Sequence, residues 1–323
     1  MNIPDKKTGS INQRLAGCFV SAIPAALKSA RFLLSIMIPV SLAVTLLKYT
    51  GILEHAAKWM NPMFSLIGLP GDAALVFITS MVLNIYSAIA VISTLPFSER
   101  ELTILALMCL ISHNFFVETA IQKKTGSSAI KITLVRIIYS FIGAYSLNLL
   151  MPAGSGNIIT ASSGYEELNL TGILSSWFYN SLFLIAQILV LVTLLLILQK
   201  ILDEFGFIDK LAVLLRPALR VMGLPDSVAF LWIVANTLGL AYGSAIMIEQ
   251  SESGKLNRED ADLLNHHIGI SHSLLEDTLL FVAIGVPALW IIFPRVILAT
   301  IEVWLLKLRK FITGKKNEPC TAE

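Results

Sequence analysis

Charge is what this chain has least of. Asp, Glu, Lys and Arg make up 14% of its 323 residues, against about a quarter in a soluble domain. Apolar residues make up 55%, and mean hydropathy is +0.75. That balance excludes an ordinary globular enzyme. Net charge is only +2, so no nucleic-acid partner is implied. Cysteine is equally scarce. Cys18, Cys109 and Cys320 are scattered, with no CxxC or other metal-type spacing, and no disulfide framework is expected. There is no GxxxxGK[ST] loop, no HExxH and no GxSxG. No nucleotide site, no cofactor and no enzymatic activity are therefore expected. Leu15-Ala16-Gly17-Cys18 looks like a lipoprotein cleavage box, but Lys6, Lys7, Asn12, Gln13 and Arg14 precede it where an apolar stretch is needed. Residues 1–30 read as a cytoplasmic, partly amphipathic lead-in.

Long apolar runs are abundant. Spans are predicted near 31–49, 74–95, 130–151, 174–199, 226–248 and 279–306, since about 20 apolar residues as helix cross a bilayer. Open strands cannot span lipid, so the expected class is all-α, a polytopic membrane helical bundle. Two apolar segments are shorter and interrupted. One, near 102–120, carries Ser112, His113, Asn114 and Glu118; the other, near 261–278, carries His266, His267, His272, Glu276 and Asp277.

The chain also repeats itself. Gly51-Ile52-Leu53-Glu54, Pro62 and Gly68-Leu69-Pro70 return 155 residues later as Gly206-Phe207-Ile208-Asp209, Pro217 and Gly223-Leu224-Pro225. Ser112-His113-Asn114 with Glu118-Thr119 is echoed by Ser271-His272-Ser273 with Asp277-Thr278. Residues 52–67 and 207–222 mix an apolar with a charged face, as expected of helices lying in the interface. The units expected are 31–155 and 174–308, joined by an external linker at 156–173 and followed by a basic cytoplasmic tail at 309–323.

Basic residues mark cytoplasmic loops. Lys6, Lys7, Arg14, Lys28 and Arg31 place the N-terminus inside; Lys307, Arg309, Lys310, Lys315 and Lys316 do the same for the C-terminus. The linker has only Glu166 and Glu167 and reads as external. An odd number of crossings then precedes it. Making 102–120 a re-entrant hairpin meets that count and puts Lys123 and Lys124 inside. The same logic puts Lys200, Lys210, Arg216 and Arg220 inside and the loop 249–262 outside. Two inverted repeats follow, each with an interfacial helix, about three spans and a re-entrant hairpin. The expected location is the cell inner membrane.

The Ser-His segments are the first site candidates. Histidine beside carboxylate is costly inside a membrane unless buried in protein or facing water. His272 and Glu276 share a helix face, whereas His113 and Glu118 are five apart and do not share one on a straight helix. A site common to both halves is therefore expected to be chemically asymmetric. His113, Asn114, Glu118, Thr119, His272, Ser273, Glu276 and Asp277 could coordinate a cation, titrate as a proton-coupling group, or cap helix ends. Which metal, if any, is left open. Asn84 and Ser87 in the first half, and Asn236 and Tyr242 in the second, could contact a ligand or bond a neighbouring helix. Asp72 and Asp226 are expected to cap helices. Arg136 is expected to snorkel, and Arg295 to pair with a carboxylate such as Glu302 or with the second interrupted segment, 261–278.

Gly68-Leu69-Pro70-Gly71-Asp72 after an amphipathic helix, and its echo Gly223-Leu224-Pro225-Asp226, resemble the Gate motif, or nucleoside-recognition domain. That motif is shared by concentrative nucleoside transporters, the membrane part of ferrous-iron transporter B, and the spore-maturation membrane proteins A and B. No cysteine lies in either Gly-Leu-Pro region or in the echoed stretches 112–119 and 271–278, which argues against thiolate-assisted iron handling. The resemblance implies an ion-coupled transport protein for a nucleoside-like solute or a divalent cation. Its partners would be the lipid bilayer, that small-molecule or ion substrate, and a second copy in a homo-oligomer. The alternative it implies is a non-transporting scaffold or export-accessory factor.

Overall fold

A computed structural model describes residues 10–152, 170–237 and 239–313. Most of the expected linker and tail lies outside the described residues. Those described form helices and no strand. The elements come in two runs of the same order. The first is α1 (Ile11–Tyr49), α2 (Ile52–Ser65), α3 (Ala73–Val82), α4 (Ile85–Ile92), α5 (Glu99–Ser112), α6 (Phe115–Lys124) and α7 (Ala129–Leu150). The second is α8 (Leu170–Glu204), α9 (Phe207–Val221), α10 (Ala229–Thr237, after a 3-10 turn at Asp226–Val228), α11 (Leu240–Glu252), α12 (Arg258–Ser271), α13 (Glu276–Val282) and α14 (Ala288–Ile312).

The Gly-Leu-Pro signature is a helix stop. Gly68 and Gly223 take φ of 76° and 82°, a left-handed conformation that costs glycine nothing. The next amide then reaches back, Leu69 N to Phe64 O at 3.0 Å and Leu224 N to Leu219 O at 2.9 Å. Leu69 and Leu224 are buried, and the proline bars further helix. This is a Schellman termination with its hydrophobic contact. Asp72 makes no side-chain cap, and Asp226 pairs with Arg220. The capping expected of these two residues is thus corrected.

The predicted spans 74–95 and 226–248 are not continuous. α3 ends at Val82, and at about 1.5 Å per residue it is about 15 Å long, half a hydrocarbon core. α3 packs alongside α4, and α10 alongside α11. The chain therefore folds back at Leu83–Asn84 and again around Gly239, whose φ is 80°. These pairs are the hairpins. α5 and α6 do not pack on one another in this way, and neither do α12 and α13. The Ser-His segments are therefore breaks in helices that run on, not hairpin tips. Glu99–Lys124 taken together is long and apolar enough to cross a membrane, as are α7, α14 and Leu170–Leu202 of α8. Large apolar side chains such as Ile130, Leu149, Phe183, Leu194 and Leu305 stay exposed on the last three, as a lipid-facing surface requires.

The two broken helices lie antiparallel. The end of α6 sits beside the start of α12: Ser127 Oγ donates to Asp262 Oδ1 at 2.8 Å, and Arg258 Nε to Gly126 O at 3.3 Å. The expectation that Lys123–Lys124 and the loop 249–262 face opposite sides is corrected by this adjacency. It followed from placing the hairpins one element too late.

Candidate functional site

The breaks meet at the centre. α5 and α12 each start on a polar cap. Ser98 and Glu101 form a reciprocal capping box, and Asn257 accepts from Asp260 N at 2.8 Å. Both helices then run fourteen residues to a serine, Ser112 or Ser271. His113 and His272 follow in extended conformation, and Asn114 and Ser273 both take φ of 52°. The interrupted backbone is satisfied by the hairpins. Asn114 N donates to Ser80 O at 2.9 Å, Ser273 N to Ala235 O at 3.0 Å, and Leu275 N to Asn236 O at 3.0 Å.

Two fully buried arginines hold the breaks. Arg136 donates to Ile111 O at 2.7 Å and His113 O at 2.5 Å, and pairs with Glu118 Oε2 at 2.8 Å. Arg295 donates to His272 O at 3.2 Å and Thr278 Oγ1 at 2.6 Å. Carbonyls freed by a broken helix need such donors. Arg136 therefore does not snorkel. Arg295 does not pair with Glu302, which bonds His266 Nδ1 at 2.8 Å, but with the second interrupted segment, the other partner expected of it.

Between the arginines lie His113, Glu118, His272 and Asp277, all buried. The Nε2 atoms of the two histidines are 3.2 Å apart. Glu118 Oε1 is 3.1 Å from one and 3.2 Å from the other, and Asp277 Oδ2 is 3.5 Å from His113 Nε2. Each Nδ1 contacts the carbonyl four residues back, Cys109 O at 3.2 Å and Ile268 O at 2.8 Å. A carbonyl only accepts, so each Nδ1 carries the hydrogen. In neutral imidazole each Nε2 is then a bare acceptor. Two bare nitrogens facing one another beside two carboxylates leave room for a positive species between them, over and above the two arginines. A shared proton supplies it. So does a metal ion: ligands about 2.0 Å from a tetrahedrally held ion stand about 3.3 Å apart, close to the 3.1–3.2 Å separations among His113 Nε2, His272 Nε2 and Glu118 Oε1. His113, His272 and Asp277 group their donor atoms within 4.8 Å of one another.

The expected partner of His272 is corrected. Glu276 turns away and accepts from Tyr86 Oη at 3.2 Å and Gln199 Nε2 at 3.4 Å. Asp277 takes the place that Glu118 has in the first half, five residues after its histidine. The spacing is thus equal in the two halves, but the contacts stay asymmetric: Glu118 meets both histidines and Arg136, whereas Asp277 approaches His113. Thr119 lies outside the cluster, 3.4 Å from Thr133. Asn84 caps α4 by accepting from Ser87 N and Oγ. Asn236 donates to Trp232 O at 2.9 Å. The side chain of Tyr242 lies outside the described residues. Sequence reasoning missed Arg136 and Arg295 as site residues. Their signal was positional: both follow their histidine by 23 residues.

Buried helix breaks, a lipid-facing exterior and a central charged cluster define a polytopic α-helical membrane protein. Residues 30–149 match the Gate family model, described as nucleoside recognition. That match spans most of the first run of helices. The chain is similar to an uncharacterized membrane protein, YvoD, of Bacillus subtilis (strain 168), being 28% identical over 305 residues that cover 93% of this chain and 96% of that one. No solved structure gives a significant match.

Proposed function

We infer that the protein is an ion-coupled membrane transporter built from two inverted repeats, with the coupling cation held by His113, Glu118, His272 and Asp277. One observation carries this reading: the facing Nε2 atoms at 3.2 Å, one from each repeat. Charge favours a proton as the bound cation. Glu118 and Asp277 balance Arg136 and Arg295, so a proton leaves the buried site with one net charge and a divalent ion leaves it with two. Charge in low dielectric is expensive. The donor spacing supports the second reading, in which a divalent cation is itself the cargo. A solute would sit beside the hairpin tips, where Tyr86, Gln199 and Glu276 converge, and a nucleoside-like ring with hydroxyls suits that mixture. Positive-inside bias places both termini, Lys123–Lys124 and Arg258 on the cytoplasmic side of the inner membrane. Alternating access comes from one repeat moving against the other.

Uptake into proteoliposomes tests this, with nucleosides and divalent ions offered under an imposed pH gradient. Flux that is abolished by His113→Ala and Asp277→Asn supports the reading. Gradient dependence selects the proton, and metal flux without it selects the divalent ion. No flux with any member of the panel, together with a stably co-purifying protein, identifies a scaffold instead.

A further inference from the structure

We propose that the central cluster is hydrated from one face only, through a polar seam between α6 and α12 that carries water and the proton or small cation moving with it. The matching route on the opposite face is sealed by hydrocarbon. This takes the cluster as the ion-carrying centre and so rests on the reading above.

The seam begins at Asp262, whose side chain is 27% exposed. Ser127 Oγ donates to it at 2.8 Å. Asn265 Nδ2 then donates to Ser127 Oγ at 3.0 Å, Thr125 Oγ1 at 2.8 Å and Gln122 O at 3.3 Å. Gln122 stands one turn below Glu118 on the same face of α6. Gly269 leaves the space between them and the arginine. A Cβ there would lie 3.3 Å from Gln122 Nε2 and 3.9 Å from Arg136 Cγ. Arg136 then contacts Glu118 directly.

Below Asp262 the side chains along this seam are buried, yet several of their polar atoms lack protein partners. Gln122 Nε2 and Oε1, Asn265 Oδ1 and Arg136 Nη1 have none. Buried polar atoms are almost always hydrogen-bonded, and where protein does not serve, water does.

The repeat supplies an internal control. Shifting by 159 residues superimposes the Ser-His breaks, and it converts every polar member of the seam but Asp262 into an apolar one. Asn265 becomes Ala106, Gly269 becomes Leu110, Gln122 becomes Phe281 and Ser127 becomes Val286. Those four are buried in the apolar core, and Met108 and Cys109 lie among them. Two routes that are equivalent by fold therefore differ in chemistry. One is lined with donors and acceptors, the other with hydrocarbon.

Two measurements test this without requiring transport. In the Cys18→Ser, Cys320→Ser chain, Cys109 remains as an internal clock on the sealed side. Cysteine is introduced at Gln122, Thr125, Ser127, Leu110 or Phe281, and modification by 2-aminoethyl methanethiosulfonate is timed on monodisperse protein. The three seam positions should react about tenfold or more faster than Cys109, Leu110→Cys and Phe281→Cys, because local opening to water differs between the routes. Thr125→Cys and Ser127→Cys are near-isosteric and keep the test available if Gln122→Cys fails to fold. In the wild-type chain, hydroxyl-radical footprinting should leave Met108 and Cys109 unlabelled, although sulfur is intrinsically the fastest-reacting side-chain atom. Equal rates on the two sides, no reaction at any seam position, or ready labelling of Met108 would overturn the proposal. A chain that shows the asymmetry but transports nothing keeps the seam and loses the transporter.

Discussion

At the scale of single residues, the strongest constraint is the Arg136–Glu118 ion pair, because both groups are buried and losing either leaves the other's charge uncompensated. Removing one side of a buried pair costs about 3–5 kcal/mol, whereas replacing both with apolar groups is often neutral. Glu118→Gln and Arg136→Met should therefore each lower the thermal midpoint in detergent. The double substitution should recover much of that loss if the pair is chiefly a stability device. The recovered protein should still fail in uptake, since Glu118 Oε1 also faces both imidazoles. A double variant as unstable as the sum of the singles would show that Arg136 acts mainly through the break carbonyls Ile111 O and His113 O. Asp226 is the opposite case. It is exposed and held below its ordinary value of 3.8 by its hydrogen bond with Arg220. A depressed carboxylate contributes stability above its unfolded pKa and loses it as pH falls through the folded one. Any contribution of Asp226 is thus present at neutral pH and fades below about pH 4. Water screens so exposed a pair. Asp226→Asn should accordingly leave the neutral-pH midpoint unchanged within error, and a clear drop there would assign the residue a further partner.

At the scale of elements, local chemistry separates what could be read from what could not. The Gly-Leu-Pro stop was legible because the left-handed glycine, the apolar residue after it and the proline all act within one turn. A substitution series separates backbone strain from packing at such stops. Gly206→Ala meets no atom within 4 Å and bears only the cost of its left-handed φ, about 1–2 kcal/mol. Gly68→Ala bears that cost and also drives its Cβ into Asn148 Oδ1, the acceptor of a 2.6 Å bond from Arg100. Thermal unfolding should rank Gly68→Ala clearly below Gly206→Ala; equal losses would mean that Asn148 moves aside freely. The hairpins were not legible. Hydropathy over 74–95 is the same whether a run crosses lipid or turns back halfway, and only Asn84 marks the turn in sequence. A polar Ser-His-Asn segment suits a hairpin tip and a helix break equally, and nothing local distinguishes them. The partner of His272 was misread for the same reason. Helical spacing selects Glu276 only if the helix continues through Ser273, and its φ of 52° forbids that.

At the scale of the whole molecule, the cluster belongs to neither half alone. His113 and Glu118 come from the first repeat, His272 and Asp277 from the second, and the donors that would hold a cation exist only while the two breaks face one another. Sliding one repeat past the other by an ångström or two would open the 3.1–3.5 Å contacts. On the proposed reading, cation occupancy and repeat position form one equilibrium, and a ligand that binds a single arrangement shifts it by its differential affinity. The arrangement requires that the broken helices cross in opposite directions, and this has a consequence for topology. Lys123 and Arg258 stand at the shared end, by the Arg258–Gly126 contact. Glu99, which opens α5, and Gly285, which follows α13, stand at the other. Single cysteines at 123 and 258 should be labelled by an impermeant maleimide from one side of sealed vesicles, and cysteines at 99 and 285 from the other. Parallel repeats would place 99 and 258 together, and hairpins at the Ser-His segments would place 99 with 123. Either result would remove the common interface on which coupling between the repeats depends.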